Sequence, residues 1–390
     1  MNSVTRIYIA KAARVFVFGL VSVITPVYLA ALGNAPLLVG LGIAVMIAGS
    51  ALSNTILVWF GDRIGRRRFL ILLSLAMLLS GVLLFSTGAY PIVLLALFIG
   101  NASTTGTEAG PFQSIEAGVL PDLASGGKMN RSFGVYNMIG YGASSVGALV
   151  ASVPSYFQNG LLAFRSLYLL YGLVGLLLVI LYRRLDGLDA SPPAGESGSN
   201  EISPGAGREI RKLSALFSID AFGGGLVSQS LLVYWFYLVY GVSLGGLGVI
   251  FLIVNVITAA STLGASFLAD RIGNLRTMVY THLLSNVFLV LIPLAGSLTG
   301  ALLFLFARQS VSQMDVPTRQ AFMAGMFNDK ERVSAFATTN TSRIISNVPG
   351  SPISGMLLGA GLTSAPLLIA GLSKILYDGL IFAMYKKRAR

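Results

Sequence analysis

The chain has 390 residues, 55% of them hydrophobic and 11% charged, with a net charge of +12 and a mean hydropathy of +0.78. Soluble domains carry about 25% charged residues, so this chain cannot cover a water-facing surface, and disorder needs the opposite balance of low hydrophobicity and high charge. No cysteine and a single histidine, His282, exclude a disulfide, a thiolate or His-cluster metal site, and a cysteine nucleophile.

A helix needs about 20 apolar residues to cross about 30 Å of hydrocarbon. By that measure the sequence predicts twelve spans, at residues 9–32, 36–60, 69–88, 90–118, 132–153, 163–182, 213–240, 245–268, 277–295, 299–325, 334–360 and 363–385. Most connections are short and marked by Gly, Pro or Asn, such as Gly33-Asn34-Ala35-Pro36 and Gly241-Val242-Ser243. One is long and polar. It divides the chain into an N-terminal six-helix bundle (1–182), a cytoplasmic linker (183–212) and a C-terminal six-helix bundle (213–390). Arg6, Lys11 and Arg14 ahead of an apolar run resemble a signal-peptide n-region. That run is long for such a role and repeats in the second half, so it is read as a retained span.

Placing the N-terminus inside puts Arg6, the Arg63/Arg66/Arg67/Arg68 group, Lys128, Arg131, the linker cations, Arg271, Arg276, Lys330, Arg332 and the basic C-terminus on the inner side. Arg165 is the one loop cation left outside. This asymmetry predicts a multi-pass protein of the cell membrane with both termini cytoplasmic. It also accounts for the positive charge without nucleic acid, since the cations are scattered over several segments rather than gathered on one face with aromatics. The chain's surroundings are lipid.

The two halves repeat. Gly61-Asp62-Arg63-Ile64-Gly65-Arg66 recurs as Ala269-Asp270-Arg271-Ile272-Gly273-Asn274, 208 residues on. Glu108, Gln113 and Asp122 match Asp315, Gln320 and Asp329 at an offset of 207. Gly19-Leu20-Val21-Ser22 and Tyr28 match Gly225-Leu226-Val227-Ser228 and Tyr234 at 206. Each anchor lies on the same span of its half, and both halves start inside, so the repeat is parallel.

Twelve spans in parallel 6+6 halves, with Asp62-Arg63-Ile64-Gly65-Arg66-Arg67-Arg68 between spans two and three, resemble the major facilitator superfamily over essentially the whole chain. The resemblance implies an all-α membrane protein with two pseudo-symmetric six-helix bundles around a central cavity lined by spans one, four, seven and ten. It implies that Asp62, Arg63, Gly65, Arg66 and Arg67 form a gating loop that ties the inner helix ends in one state of alternating access, with Asp270, Arg271 and Gly273 as a weaker second copy. The pattern departs where the signature glycine is expected: Val58 and Ser266 stand there, and Asn274 replaces a base. Span five also lacks the Gly-Pro pair of many drug/proton antiporters.

Charge inside a span costs about 2.5–3.5 kcal/mol on insertion scales and marks a function or a partner. Arg308, Ser312, Asp315 and Arg319 on span ten follow a 4, 3, 4 spacing, which predicts one polar helical face. The equivalent positions on span four are Asn101, Thr105, Glu108 and Phe112. Arg14 on span one matches Asp220 on span seven, so opposite charges are expected to pair within each half: Arg14 with Glu108 or Glu116, and Asp220 with Arg319. Glu108 and Asp315 are the acids nearest mid-membrane and the candidate proton carriers; the plainer alternative is that they only neutralise Arg14, Arg308 or Arg319. Arg308 can meet an anionic group or pair with Asp315. Asn101, Thr105, Ser312, Gln113, Gln320 and Tyr234 are the candidate cavity residues. Tyr28 and Tyr234–Tyr237 fit an interfacial belt or cavity-gating aromatics. Lys374 and Asp378 read as an i,i+4 pair on a peripheral helix, Arg343 as a structural charge, and His282 as a satisfied core group.

No GxxxxGK[ST] motif is present, which counts against an ATP-driven pump, and no loop gathers the polar groups of an enzyme. The expected function is alternating-access transport of a small organic solute, proton-coupled, with drug or metabolite efflux favoured over uptake, by a monomer without cofactor or bound metal. A passive uniporter and a non-transporting receptor are the alternatives.

Overall fold

The computed structural model describes residues 3–107, 110–116, 129–157, 160–185 and 203–386. Within these, the side chains of Val58, Asp62, residues 129–134, Leu263, Ser266, Asp329, Lys330, Arg332 and Val333 are not described. Glu108, Asp122 and Lys128 lie outside the described residues altogether.

The first half comprises α1 (Ser3–Ala31), α2 (Pro36–Ile64), α3 (Arg66–Ser86), α4 (Tyr90–Ile99), a helical stretch at 111–116, α5 (Met129–Val150) and α6 (Gly160–Arg183). The second comprises α7 (Pro204–Leu226), α8 (Gln229–Tyr240), α9 (Leu244–Ile272), α10 (Asn274–Leu291), α11 (Leu298–Gln309), α12 (Asp315–Met326), α13 (Asp329–Asn347), α14 (Gly350–Gly359) and α15 (Ala365–Tyr385). This is an all-α membrane protein whose twelve spans make two pseudo-symmetric six-helix bundles. Among the described residues, eight helical segments are each long and apolar enough to cross a membrane, and α4 and α11 are shorter apolar helices.

Two compact units divide the chain: Met1–Glu196 with Gln229–Asn255, and Ser197–Ser228 with Val256–Arg390. In the first, α1 packs on α5 and α6, and α3 packs on α6. In the second, α7 packs on α13 and α15, and α10 packs on α15. Lipid tails are as apolar as leucine, so helices associate through close approach at small residues. The closest approaches repeat with the sequence. A Cβ at Gly19 would strike the Ser144 carbonyl, and a Cβ at Gly225 would strike the Asn347 carbonyl and lie 3.2 Å from the Gly350 Cα. Gly225 and Gly350 stand 206 residues beyond Gly19 and Ser144.

Four spans depart from the continuous helices expected. Span four breaks after Ile99, passes Asn101 at φ 55° and Gly106 at φ 69°, and resumes at Pro111. Span ten breaks between Gln309 and Asp315. The 4, 3, 4 spacing therefore does not make one helical face, and Asn101 and Thr105 sit on irregular chain. Proline explains both restarts, because it has no N–H to give in a first turn, where none is needed: Pro111 opens one and Pro317 lies in the first turn of α12. Irregular backbone at membrane depth must be satisfied by protein. Here the Tyr171 hydroxyl donates to the Gly100 carbonyl, Ser144 Oγ to the Gly106 carbonyl at 2.6 Å, and the Ser230 N–H to the Thr104 carbonyl at 3.1 Å. Spans seven and eleven break at 227–228 and 348–349. Residues 204–212, assigned to the linker by composition, are the opening turns of α7. Ser203 caps them by accepting from the Ala206 N–H, and Ser203 Oγ in turn donates to Glu331 at 2.7 Å.

Candidate functional site

Each unit buries one ionic cluster, and the two are built from repeat-related helices with the charges exchanged. In the first unit the cation comes from α1. Arg14 is 0% exposed, and its guanidinium meets the Glu116 carboxylate in a two-pronged pair of 3.0 and 2.6 Å. Tyr182 on α6 closes the pair, donating to Glu116 Oε1 at 2.6 Å and accepting from Arg14 at 2.5 Å. The Tyr136 hydroxyl on α5 donates to Glu116 Oε2 at 2.8 Å. Phe112, one turn before Glu116, lies under the guanidinium with 4.6 Å to the ring centre, and Lys11 lies 4.2 Å from the Tyr136 ring centre.

In the second unit the acid comes from α7. Asp220 meets Lys374 on α15 at 2.6 Å, His282 Nε2 on α10 at 3.4 Å, Arg319 on α12 at 3.6 Å and Arg343 on α13 at 3.7 Å. Arg319 also holds Asp315 at 3.0 Å, one helical turn before it. On the far side of the imidazole, Nδ1 lies 2.8 Å from Asp378, whose second oxygen accepts from Asn286 at 3.0 Å. Gly223 gives α15 room to approach, since a Cβ there would come within 3.0 Å of Lys374 Cγ.

The expected pairs Arg14–Glu116 and Asp220–Arg319 are therefore in contact, whereas Glu108 falls outside the described residues. Other expectations need correction. Lys374 and Asp378 do not pair with each other, because the approach of α7 and α10 offers Lys374 a carboxylate and Asp378 an imidazole. Arg308 reaches Gln309 at 2.9 Å and not Asp315, since the break in span ten takes the two off a common helix. Tyr28, Tyr234, Trp235 and Phe236 are at most 2% exposed, against the interfacial-belt reading for these four, while Tyr237 is partly buried; Tyr28 packs on Phe164 and Tyr168, and Trp235 on Phe236 and Tyr240. Ser312 is buried, with its hydroxyl 3.3 Å from Gln309 Oε1, and Gln320 is exposed on α12.

Between α1, α5 and the 111–116 stretch lies a recess of about 70 Å³ lined by Lys11, Val15, Thr107, Gln113, Asn137, Gly140 and Tyr141. Of these, Gln113 is the one that the sequence marks as a cavity residue. Asn101 is buried nearby in sequence, and its Oδ1 has no partner among the described residues. Thr105 is exposed and shares bonds with Ser103 and Thr107.

Both signature loops turn at glycine. Gly65 has φ 85° and Gly273 has φ 86°, a region that side chains with a Cβ rarely enter. Arg67 then ends span six, its Nε and Nη2 donating to the carbonyls of Tyr182 at 3.3 Å and Leu185 at 2.8 Å. The Tyr182 carbonyl also accepts from the Leu185 N–H at 3.2 Å, so the guanidinium reinforces the last turn of the helix. Arg271 instead lies over Phe267, 4.1 Å from the ring centre. Arg63, Asp270 and Arg271 are exposed, and Arg66 is partly buried at the start of α3.

Tyr136, Tyr182, Asn286 and Asn137 belong to these clusters and carried no sequence signal, since a tyrosine or asparagine in a span has many uses. His282, Lys374 and Asp378 did carry one: ionisable groups on spans otherwise expected to face lipid.

The profile of the Major Facilitator Superfamily matches residues 7–307. An uncharacterized membrane protein of Saccharomyces cerevisiae is 24% identical, the match covering 95% of this chain and 91% of that one. Among solved structures, a nucleoside transporter matches with a TM-score of 0.77 at 14% identity, covering 99% of this chain and 100% of that one. A D-xylose-proton symporter matches with a TM-score of 0.76 at 14% identity, covering 98% of each chain.

Proposed function

The chain belongs to the major facilitator superfamily and is a multi-pass secondary transporter rather than an enzyme, and we propose that it moves a small organic solute in exchange or in company with protons. The observation that carries this reading is the pair of buried ionic clusters, one in each unit. Fully desolvated charge is costly, and a helix that only needed to span would do better without it. Alternating access gives such clusters a use: ties that are made in one state and broken in the other can shift the balance by a few kcal/mol. The broken spans four and ten support a solute site, because irregular chain at membrane depth presents polar groups that a continuous helix hides. The likeness to a D-xylose-proton symporter supports ionic coupling. On this reading the chain works as a monomer in the cell membrane with both termini cytoplasmic, and its gating loops are those of Asp62–Arg67 and Asp270–Gly273.

Proteoliposomes with an imposed pH gradient test it, with D-xylose, uridine, organic acids and cationic drugs as probes in both membrane orientations. A solute driven uphill by the gradient supports the proposal. No movement of any probe in either orientation favours a non-transporting receptor of the same fold.

A further inference from the structure

The sequence marks the acids of spans four and ten as proton carriers, but the geometry points to a different proton-binding site, His282 clamped between Asp378 and Asp220 in the second unit. This inference rests on the proton-coupled reading above and deepens it by naming where the proton is held. Both ring nitrogens lie against carboxylate oxygens, Nδ1 2.8 Å from Asp378 and Nε2 3.4 Å from Asp220, and Nδ1 also lies 3.1 Å from Asn286 Nδ2. A neutral imidazole has one N–H and one lone pair. In this position a ring with its N–H on Nδ1 turns its lone pair on Asp220, a ring with its N–H on Nε2 leaves Asp378 to Asn286 alone, and the imidazolium donates to both carboxylates.

The surrounding charges single out the same group. From α7 the ring faces Asp220, and from α15 it faces Asp378, Lys374 and Tyr377, whose ring centre is 5.7 Å away at 84°. Arg319 and Asp315 on α12 and Arg343 on α13 complete the cluster through Asp220, and Asn286 on α10 fixes the Asp378 carboxylate. Asp220, Asp315 and Asp378 stand among Lys374, Arg319 and Arg343, with Arg308 in electrostatic reach of Asp315. The charge of the cluster is then set by whether His282 carries its second proton.

The step is a simple transfer. A hydronium ion gives its proton to the ring, an O–H bond breaks and an N–H bond forms, and the reverse transfer returns the proton to water. Deprotonation leaves one carboxylate without a donor on the imidazole, and so changes the set of bonds by which α7, α10 and α15 hold together. Asp220 sits on the segment of span seven that ends at the break of residues 227–228, where one compact unit gives way to the other along the chain. A change in its ties is therefore made next to the point where the span is already interrupted.

Because the chain has one histidine, histidine-selective 15N labelling of the full-length protein in lipid nanodiscs reports this ring alone. The expected spectrum at pH 7 shows both ring nitrogens bearing hydrogen, and Asp378→Asn should lose that signature. A neutral single-tautomer ring in the unaltered protein overturns the proposal. Asp378→Asn keeps the ring as a reporter, and its monodisperse elution checks that the variant folds. In proteoliposomes loaded with the probe that moves in the unaltered protein, His282→Gln and Asp378→Asn should lower the ratio of accumulation with a pH gradient to accumulation without one by about tenfold or more. Accumulation at the unaltered level in both variants overturns the coupling role. If the unaltered protein moves no probe under a pH gradient, the proton-coupled reading itself fails and the coupling role with it.

Discussion

Arg14→Met should destabilise the protein more than removing the whole cluster to which Arg14 belongs. Arg14 and Glu116 are both 0% exposed, so loss of the cation leaves a carboxylate desolvated and unpaired. Breaking a buried pair in this way costs about 3–5 kcal/mol. Glu116 retains the hydroxyls of Tyr136 at 2.8 Å and Tyr182 at 2.6 Å. Hydrogen bonds to a charged group are worth about 1.5–3 kcal/mol each, so the loss should fall at the lower end, about 3 kcal/mol. Adding Glu116→Leu removes the uncompensated charge but strands two hydroxyls. Adding Tyr136→Phe and Tyr182→Phe removes those as well and should return the protein to within about 1 kcal/mol of the unaltered chain. Thermal unfolding of the detergent-purified protein provides the assay. For a unit of roughly 200 residues each kcal/mol moves Tm by about 2–4 °C, so the single variant should lose about 6–12 °C and the quadruple variant regain most of it. A quadruple variant no more stable than Arg14→Met would refute the reasoning, because it would mean that packing around the cluster, not the stranded carboxylate, sets the cost.

Gly65→Ala and Gly273→Ala each force a Cβ into left-handed backbone and should cost about 1–2 kcal/mol, read as a fall in Tm. Arg67→Ala should remove the side-chain donor from the carbonyls of Tyr182, which keeps the Leu185 N–H, and Leu185, and destabilise by about 1–2 kcal/mol, and Arg67→Lys should restore only part of this because an ammonium cannot fork to both. Gly225→Leu, which overlaps the Asn347 backbone, should abolish monodisperse expression, and Gly19→Leu should do the same in the first unit.

Much of the architecture was legible because a membrane leaves little choice. Spans need a minimum length of apolar residues, and loop charge orients them, so composition along the chain yielded twelve spans. The repeat was legible because Gly19 and Gly225 do the same work, each letting a neighbouring backbone approach. Two of the ion pairs followed from placing Arg14 and Asp220 at equivalent positions. The breaks did not follow, although Pro111 and Pro317 were in view, because proline marks where a helix starts afresh without saying that the chain before it has left the helix. Helical spacing was therefore applied across residues 308–319, where only the second part is continuous helix.

What the sequence determined by itself is the class: a chain this apolar, with its halves in register, has to cross the membrane in two matched bundles. Which charges meet was decided by the tertiary structure alone. Lys374 and Asp378 sit four residues apart and would pair on an isolated helix, yet each finds a partner on another span, Lys374 at Asp220 and Asp378 at His282. The reason is physical: in a desolvated interior a charge takes whichever partner packing brings within reach, and packing depends on helix crossings that sequence spacing does not contain.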